Sequence, residues 1–129
     1  MLLTREDRLR VAGGQDRGEA AMRSSTLVVM RHGESTWTDK AQNRFAGWAD
    51  IPLTERGRDQ ARHAGELIRD ASIRPDAAFT SLLRRSIETC DIVLDVVDRL
   101  WVPVIRSWRL NERHYGSFQG EARPAMRER

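Results

Sequence analysis

Leu27-Val28-Val29-Met30-Arg31-His32-Gly33-Glu34 is an apolar run that stops abruptly at a cation, an imidazole and a glycine. Residues 26–31 are short, apolar and β-branched, the pattern of a strand buried in a sheet. A strand that ends in Arg-His-Gly sets its imidazole at the carboxyl edge of the sheet, where ligands of open α/β sheets bind. An imidazole at that edge can act as a nucleophile, and the arginine beside it can hold an anion.

Working outward, residues 32–53 have no hydrophobic period and contain Gly33, Gly47 and Pro52, so they read as a loop. Loops of that length in small domains usually carry function. Thr54 before Glu55 reads as a helix N-cap, and Ala61, Ala64, Leu67 and Ile68 recur at helical spacing to about residue 70. Residues 77–80 read as a second strand. Leu83, Ile87, Cys90, Leu94 and Val97 mark the buried face of a helix over 82–98. Residues 103–106 read as a third strand, and 108–121 as loop again. The order β-α-β-α-β implies a mostly parallel sheet with right-handed crossovers. It brings the segments 31–48, 80–85 and 109–116 to one edge, as a single cleft.

Composition narrows the class. A chain of 129 residues suggests one domain. Lys+Arg 22 against Asp+Glu 19 gives only +3, with the basic residues scattered among acids. That balance suits a small anionic ligand and argues against a nucleic-acid arm. Cys90 is the single cysteine, so no internal disulfide forms, which suits a reducing compartment. Cys90 lies in the apolar helical pattern and reads as a small buried residue. No apolar run approaches the ~18 residues of a membrane span. Residues 1–25 alternate in charge around Gly13-Gly14 and lack the apolar core of a secretory signal. They read as a disordered extension, with Met22 a candidate start, ahead of a domain over 26–129.

Five stretches then fall in order: Arg31-His32-Gly33-Glu34-Ser35, Asn43-Arg44-Phe45-Ala46-Gly47-Trp48, Leu53-Thr54-Glu55-Arg56-Gly57, Thr80-Ser81-Leu82-Leu83-Arg84-Arg85, and Leu110-Asn111-Glu112-Arg113-His114-Tyr115-Gly116 with Gln119-Gly120. Together they resemble the cofactor-dependent phosphoglycerate mutases of the histidine phosphatase superfamily. The resemblance implies an α/β three-layer sandwich with a mostly parallel sheet, truncated here at its C-terminus. It implies His32 as the nucleophile that takes a phosphoryl group and Glu112 as the residue that gives and takes the substrate proton. It also implies Arg31, Ser35, Thr38, Ala46, Gly47, Arg85, Arg113, Tyr115 and Arg123 as the substrate-binding set, with Gly47 offering a backbone N–H. The primer would be 2,3-bisphosphoglycerate, no metal would be needed, and the reaction would interconvert 3-phosphoglycerate and 2-phosphoglycerate in the cytoplasm. The partner would be that small anionic substrate, with neither nucleic acid nor membrane; a homo-oligomer is left open. His63 and His114 read as solvated or structural, and Trp37, Trp48, Trp101 and Trp108 as packing residues.

The chain departs from the family pattern in places. Thr38 and the link 39–42 follow Trp37, where the family carries Asn and a shorter connection. Ala46 replaces a Ser or Thr hydroxyl, and Arg123 replaces a common lysine. The resemblance also covers only the front half of family members, whose back half supplies a further arginine pair and a second histidine in an Ala-His-Gly segment. It therefore implies impaired mutase activity. The rival readings are a phosphatase of small phosphoesters and a non-catalytic half-domain that binds phosphoglycerate or a partner.

Overall fold

The computed structural model describes residues 1–7 and 24–123. Four strands form one sheet: β1 (Leu2–Asp7), β2 (Ser24–Val29), β3 (Ala77–Thr80) and β4 (Val104–Arg106), in the spatial order β2-β1-β3-β4. β2, β3 and β4 run the same way, and β1 runs against both of its neighbours. Two helices, α1 (Glu55–Asp70) and α2 (Arg84–Val96), complete the β-α-β-α-β order that the periodicity predicts.

The expectation of disorder through residue 25 does not hold for Leu2–Asp7 or for Ser24 and Ser25, which are strand. Met22 and the rest of 8–23 lie outside the described residues. The signal for β1 was weak because Met1-Leu2-Leu3 is a short apolar run that leads straight into charge. Its strand state comes from its neighbours: Leu3 pairs with Val28 on one side and Ala78 on the other.

Strand alternation sorts side chains onto two faces. Leu3 and Ala78 are buried, with Val28 and Val104 partly so, on the face against which Ala64 and Ile68 of α1 and Cys90, Val93 and Leu94 of α2 pack. Each fully buried Leu or Val contributes ~1.5–3 kcal/mol. The helices cross closely at Gly65, where a β-carbon would come within 2.8 Å of Val96 Cβ. The opposite face carries the cross-strand row Val29, Leu2, Phe79 and Ile105. Val29 is 70% exposed and Ile105 43%, so no helix of the described residues covers this side. The described residues thus supply the sheet and one helical layer of the sandwich. None of the described helices is long and apolar enough to cross a membrane.

The two helices start differently. Thr54 caps α1, its Oγ1 accepting the Gly57 N–H at 3.0 Å. Leu83 at the N-cap of α2 offers no side-chain acceptor. Two loops supply acceptors instead: Asp50 Oδ1 takes the Arg84 N–H at 2.7 Å and Asn111 Oδ1 the Leu82 N–H at 3.0 Å. The Arg84 N–H is an orphan of the helix start that needs such a partner, and Leu82 lies just ahead of the cap. The two bonds draw the loops after β2 and β4 onto the start of α2.

Candidate active site

His32 stands just beyond β2, and its ring is held at both nitrogens. Nδ1 lies 2.6 Å from the Gly33 carbonyl, so it carries the proton and donates. Nε2 is then the lone-pair nitrogen, and it accepts a long bond, 3.3 Å, from Arg85 Nε. Burial lowers the pKa of His32, with help from the positive charges of Arg85 and Arg31, against the opposing Gly33 carbonyl and Glu112. A neutral imidazole with Nδ1 pinned and Nε2 unprotonated is the nucleophilic form once the long bond from Arg85 gives way.

Gly33 makes this placement possible. A β-carbon there would collide with the Gly57 carbonyl, and one on Gly57 would collide with the Glu34 carbonyl. The loop after β2 lies directly on the first turn of α1. Glu34 fastens it, its backbone carbonyl accepting the Thr54 N–H at 2.9 Å and its Oε1 the Thr54 hydroxyl at 2.9 Å.

Arg85, in the first turn of α2, is fully buried. Its guanidinium serves four acceptors: His32 Nε2, the Ala49 carbonyl at 2.8 Å, the Gly47 carbonyl at 2.8 Å and Glu112 Oε2 at 3.1 Å. Burial pulls its pKa down, and Glu112 pushes back. An arginine remains charged in such a setting. Arg84, one residue earlier, is exposed, as expected of the residue pointing off this face.

Glu112 completes the contact. Oε2 meets Arg85, Oε1 accepts the Tyr115 hydroxyl at 2.9 Å, and the backbone carbonyl accepts Trp48 Nε1 at 2.8 Å. The Tyr115 ring meets the tilted Phe45 ring, with centroids 4.8 Å apart, and the Arg113 guanidinium at 4.8 Å. Arg123 lies over Phe45 at 5.0 Å. The two loops are stitched by backbone bonds between Phe45 and Glu121, Gly120 and Phe45, and Arg123 and Asn43. A cavity of about 420 Å³ opens beside His32, lined by Arg31, Arg85, Glu112, Tyr115 and Arg123 among others. A smaller one of about 260 Å³ lies between Arg31, His32 and Thr38.

The remaining candidates sit as follows. Ser35 is buried, its hydroxyl 3.0 Å from that of Thr38, while Thr38 Oγ1 accepts the Ser35 N–H at 2.8 Å. Thr38 therefore shapes the loop while facing the smaller cavity. Ala46 is buried and lines neither cavity. Gly47 has φ of +50° and gives its carbonyl to Arg85. His63 is exposed beside Glu66 on α1, and His114 Nδ1 accepts the Gly116 N–H at 2.9 Å, so both lie apart from His32's contacts. Trp48 is more than packing, since it ties the Glu112 backbone. Cys90 is buried, its thiol pushed up to about 11 by desolvation. Among the described residues no group of three His, Cys, Asp or Glu is placed to hold a metal ion.

Sequence reasoning missed Thr89, which touches both Gly33 and Arg85, and it missed Met1, which lines the larger cavity. Thr89 follows Arg85 by four positions, one helical turn, and that spacing was the available signal.

Residues 27–129 match the model of the histidine phosphatase superfamily, branch 1. This chain belongs to that superfamily. It is 54% identical over 102 residues to a 2,3-bisphosphoglycerate-dependent phosphoglycerate mutase of Bifidobacterium longum, strain DJO10A, covering 79% of this chain and 41% of the relative. It superposes on a phosphoglycerate mutase from Bacillus anthracis with a TM-score of 0.68 at 31% identity, covering 75% of this chain and 41% of that one. A mycobacterial glucosyl-3-phosphoglycerate phosphatase, solved with VO3, superposes with a TM-score of 0.65 at 28% identity, covering 75% and 43%. The chain spans about two fifths of the length of the curated relatives it matches.

Proposed function

We propose that this chain carries the phosphoryl-accepting part of a 2,3-bisphosphoglycerate-dependent phosphoglycerate mutase. The reaction is interconversion of 3-phosphoglycerate and 2-phosphoglycerate through a phosphohistidine at His32, as cytoplasmic chemistry of glycolysis and gluconeogenesis. The observation that carries the reading is the His32–Arg85–Glu112 contact: a neutral imidazole with an unprotonated Nε2, a buried guanidinium against it, and a carboxylate one step away.

Each residue has a task. The Nε2 lone pair attacks phosphorus, the bond to the leaving oxygen breaks, and that oxygen takes the proton that a protonated Glu112 carries, which leaves Glu112 as the carboxylate seen beside Arg85. In the reverse step Glu112 removes the proton of the accepting hydroxyl. Charge that spreads over the moving phosphoryl oxygens meets Arg85 and Arg31, fixed donors that need no reorganisation. Arg113, Tyr115 and Arg123, with the Gly47 N–H, hold the carboxylate and second phosphate. The same arginine-lined cavity suits a bisphosphate, and 2,3-bisphosphoglycerate when bound supplies the phosphoryl group that primes His32.

A phosphatase is the second reading, and two observations favour it. Ala46 brings no hydroxyl to the loop, and a phosphoglycerate-derivative phosphatase is among the structural neighbours. One experiment separates the readings. The chain is incubated with bisphosphoglycerate labelled in its phosphates. An acid-labile label lost in His32→Ala, and kept in His63→Ala and His114→Ala, supports His32 as acceptor. Transfer of the label to 3-phosphoglycerate supports a mutase; its appearance as inorganic phosphate supports a phosphatase. Label that survives His32→Ala removes both readings.

A further inference from the structure

β2, which leads into His32, does not pair with β3, which leads into Arg85. Both pair with β1 instead, on its two edges. β1 lies outside the family match, which begins at residue 27. We propose that the N-terminal segment Met1–Thr4 is a gap-filling strand that positions His32 against Arg85, and so is a built-in part of this chain's site.

The register supports this. Met1 and Met30 exchange both backbone bonds, each at 3.1 Å, two residues before His32. The strand therefore continues to the residue adjoining Arg31, and Met1 reaches the cavity that His32 lines. Leu3 is 1% exposed and packs into the same cluster as Ala78, Val93 and Leu94, so the segment is anchored in the core. Without it, β2 keeps no ladder partner among the described strands, and the slot beside β3 exposes two rows of unpaired N–H and C=O groups. The imidazole would then hang from a strand tied to the rest only through its loops. An ångström of drift is enough to break a contact as long as the 3.3 Å bond between Arg85 and His32. Met1 and Leu2 act through the placement of His32 and are positioning residues.

The test has two arms. The first uses the full chain and reads strand placement alone. A pair whose neighbours exchange both bonds is itself the closely spaced, non-hydrogen-bonded kind, so Leu2 faces Val29 with β-carbons near disulfide distance. Leu2→Cys/Val29→Cys should oxidise to an intramolecular disulfide in good yield. Leu2→Cys/Val28→Cys, with the second residue on the opposite face, should not. Equal yields, or none in the first pair, overturn the proposal whatever the site binds.

The second arm reads the site and rests on the phosphate-binding reading above. Orthovanadate affinity is compared between the full chain, the chain begun at Met22, and that shorter chain with a synthetic peptide of residues 1–7 added. The shorter chain should bind about tenfold more weakly or worse, the equivalent of one charge-assisted hydrogen bond lost, and the peptide should restore binding. Should the shorter chain aggregate, recovery of a monodisperse, vanadate-binding species with the peptide supports the proposal, and its absence overturns it. Unchanged affinity in the shorter chain also overturns it. If the full chain binds no vanadate while the first disulfide forms, the phosphate reading fails, and His32 placement is then read from the ring chemical shifts of the same three samples. Shifts lost in the shorter chain and restored by peptide support the proposal, and unchanged shifts overturn it.

Discussion

Thr89 Oγ1 joins two segments 56 residues apart, accepting the Gly33 N–H at 3.1 Å and donating to the Arg85 carbonyl at 2.7 Å. One buried hydroxyl therefore fixes the His32 loop to the helix that carries the buried guanidinium. The bonds from Arg85 to His32 and Glu112 depend on that distance being kept.

Thr89→Val keeps the shape and removes the acceptor. The Gly33 N–H is then buried without a partner, which costs ~1–3 kcal/mol. Urea unfolding should show a loss in that range, and Thr89→Ser should recover most of it. A valine variant as stable as the parent would mean that the hydroxyl does not hold Gly33.

Gly33→Ala sets a β-carbon against the Gly57 carbonyl, which is backbone and cannot swing away. The first turn of α1 or the His32 loop must shift, at ~1–3 kcal/mol for overpacking. Thermal melts should show the loss, and the His32 ring resonances should move. A silent Gly33→Ala would place the loop farther from α1 than it is here.

Arg85→Lys tests whether charge or shape matters. A lysine brings one compact ammonium to a place where a fork serves two carbonyls, a carboxylate and an imidazole. Arg85→Met removes the charge and leaves Glu112 without its cation. Breaking a buried pair costs ~3–5 kcal/mol. Glu112 is 27% exposed, so the lower end is expected. Phosphate or vanadate affinity should fall in both variants, and calorimetric titration would show it.

These residues differ in how far sequence could reveal them. β2, α1, β3 and α2 were legible because their apolar periods are long or their caps distinct, as with Thr54. His32 was legible as an imidazole at a strand end, and Arg85 and Glu112 through the family resemblance, while the topology brought their segments to one edge; here the three meet. β1 was not, since three apolar residues carry almost no period and its partners lie 27 and 77 positions away at Leu2. The use of Gly47 was not either. Its φ of +50° fits the glycine, but only the folded loop shows its carbonyl turned to Arg85. The local turn that Thr38 closes onto Ser35 was not legible either, since a hydroxyl three residues on makes that contact only once the loop has folded.

Glu112→Gln preserves size and keeps one oxygen to accept from Arg85, while its amide N–H can donate to the Tyr115 hydroxyl oxygen in place of the bond that Oε1 accepts, but it cannot carry a proton. General acid–base groups contribute ~10²–10⁴-fold. Label transfer from charged His32 to 3-phosphoglycerate should slow by about that range. Charging of His32 by a donor with a good leaving group should slow far less, because that oxygen needs little protonation. Equal slowing of both steps would assign Glu112 to holding Arg85 and not to proton transfer.

His32 gives a pH signature whose sign follows from its surroundings. Burial, then the Arg85 and Arg31 charges, hold its pKa below the ordinary imidazole value of 6.5 in the folded chain. The unfolded chain therefore takes up a proton at this residue first as pH falls. Stability linked to His32 is full above about pH 6.5, declines as pH drops below that value, and levels off once pH passes the folded pKa. Urea midpoints between pH 8 and pH 5 should fall on the acid side, and His32→Gln should flatten that part of the curve. His63 and His114 are exposed and remain in both proteins, so the difference between the two curves isolates His32. The same depression moves protonation of Nε2 to lower pH, so phosphoryl labelling of His32 should fall off at a lower pH than the titration of free imidazole. Labelling that instead tracks the titration of free imidazole would mean that His32 is open to water and not enclosed by Arg85 and its loop.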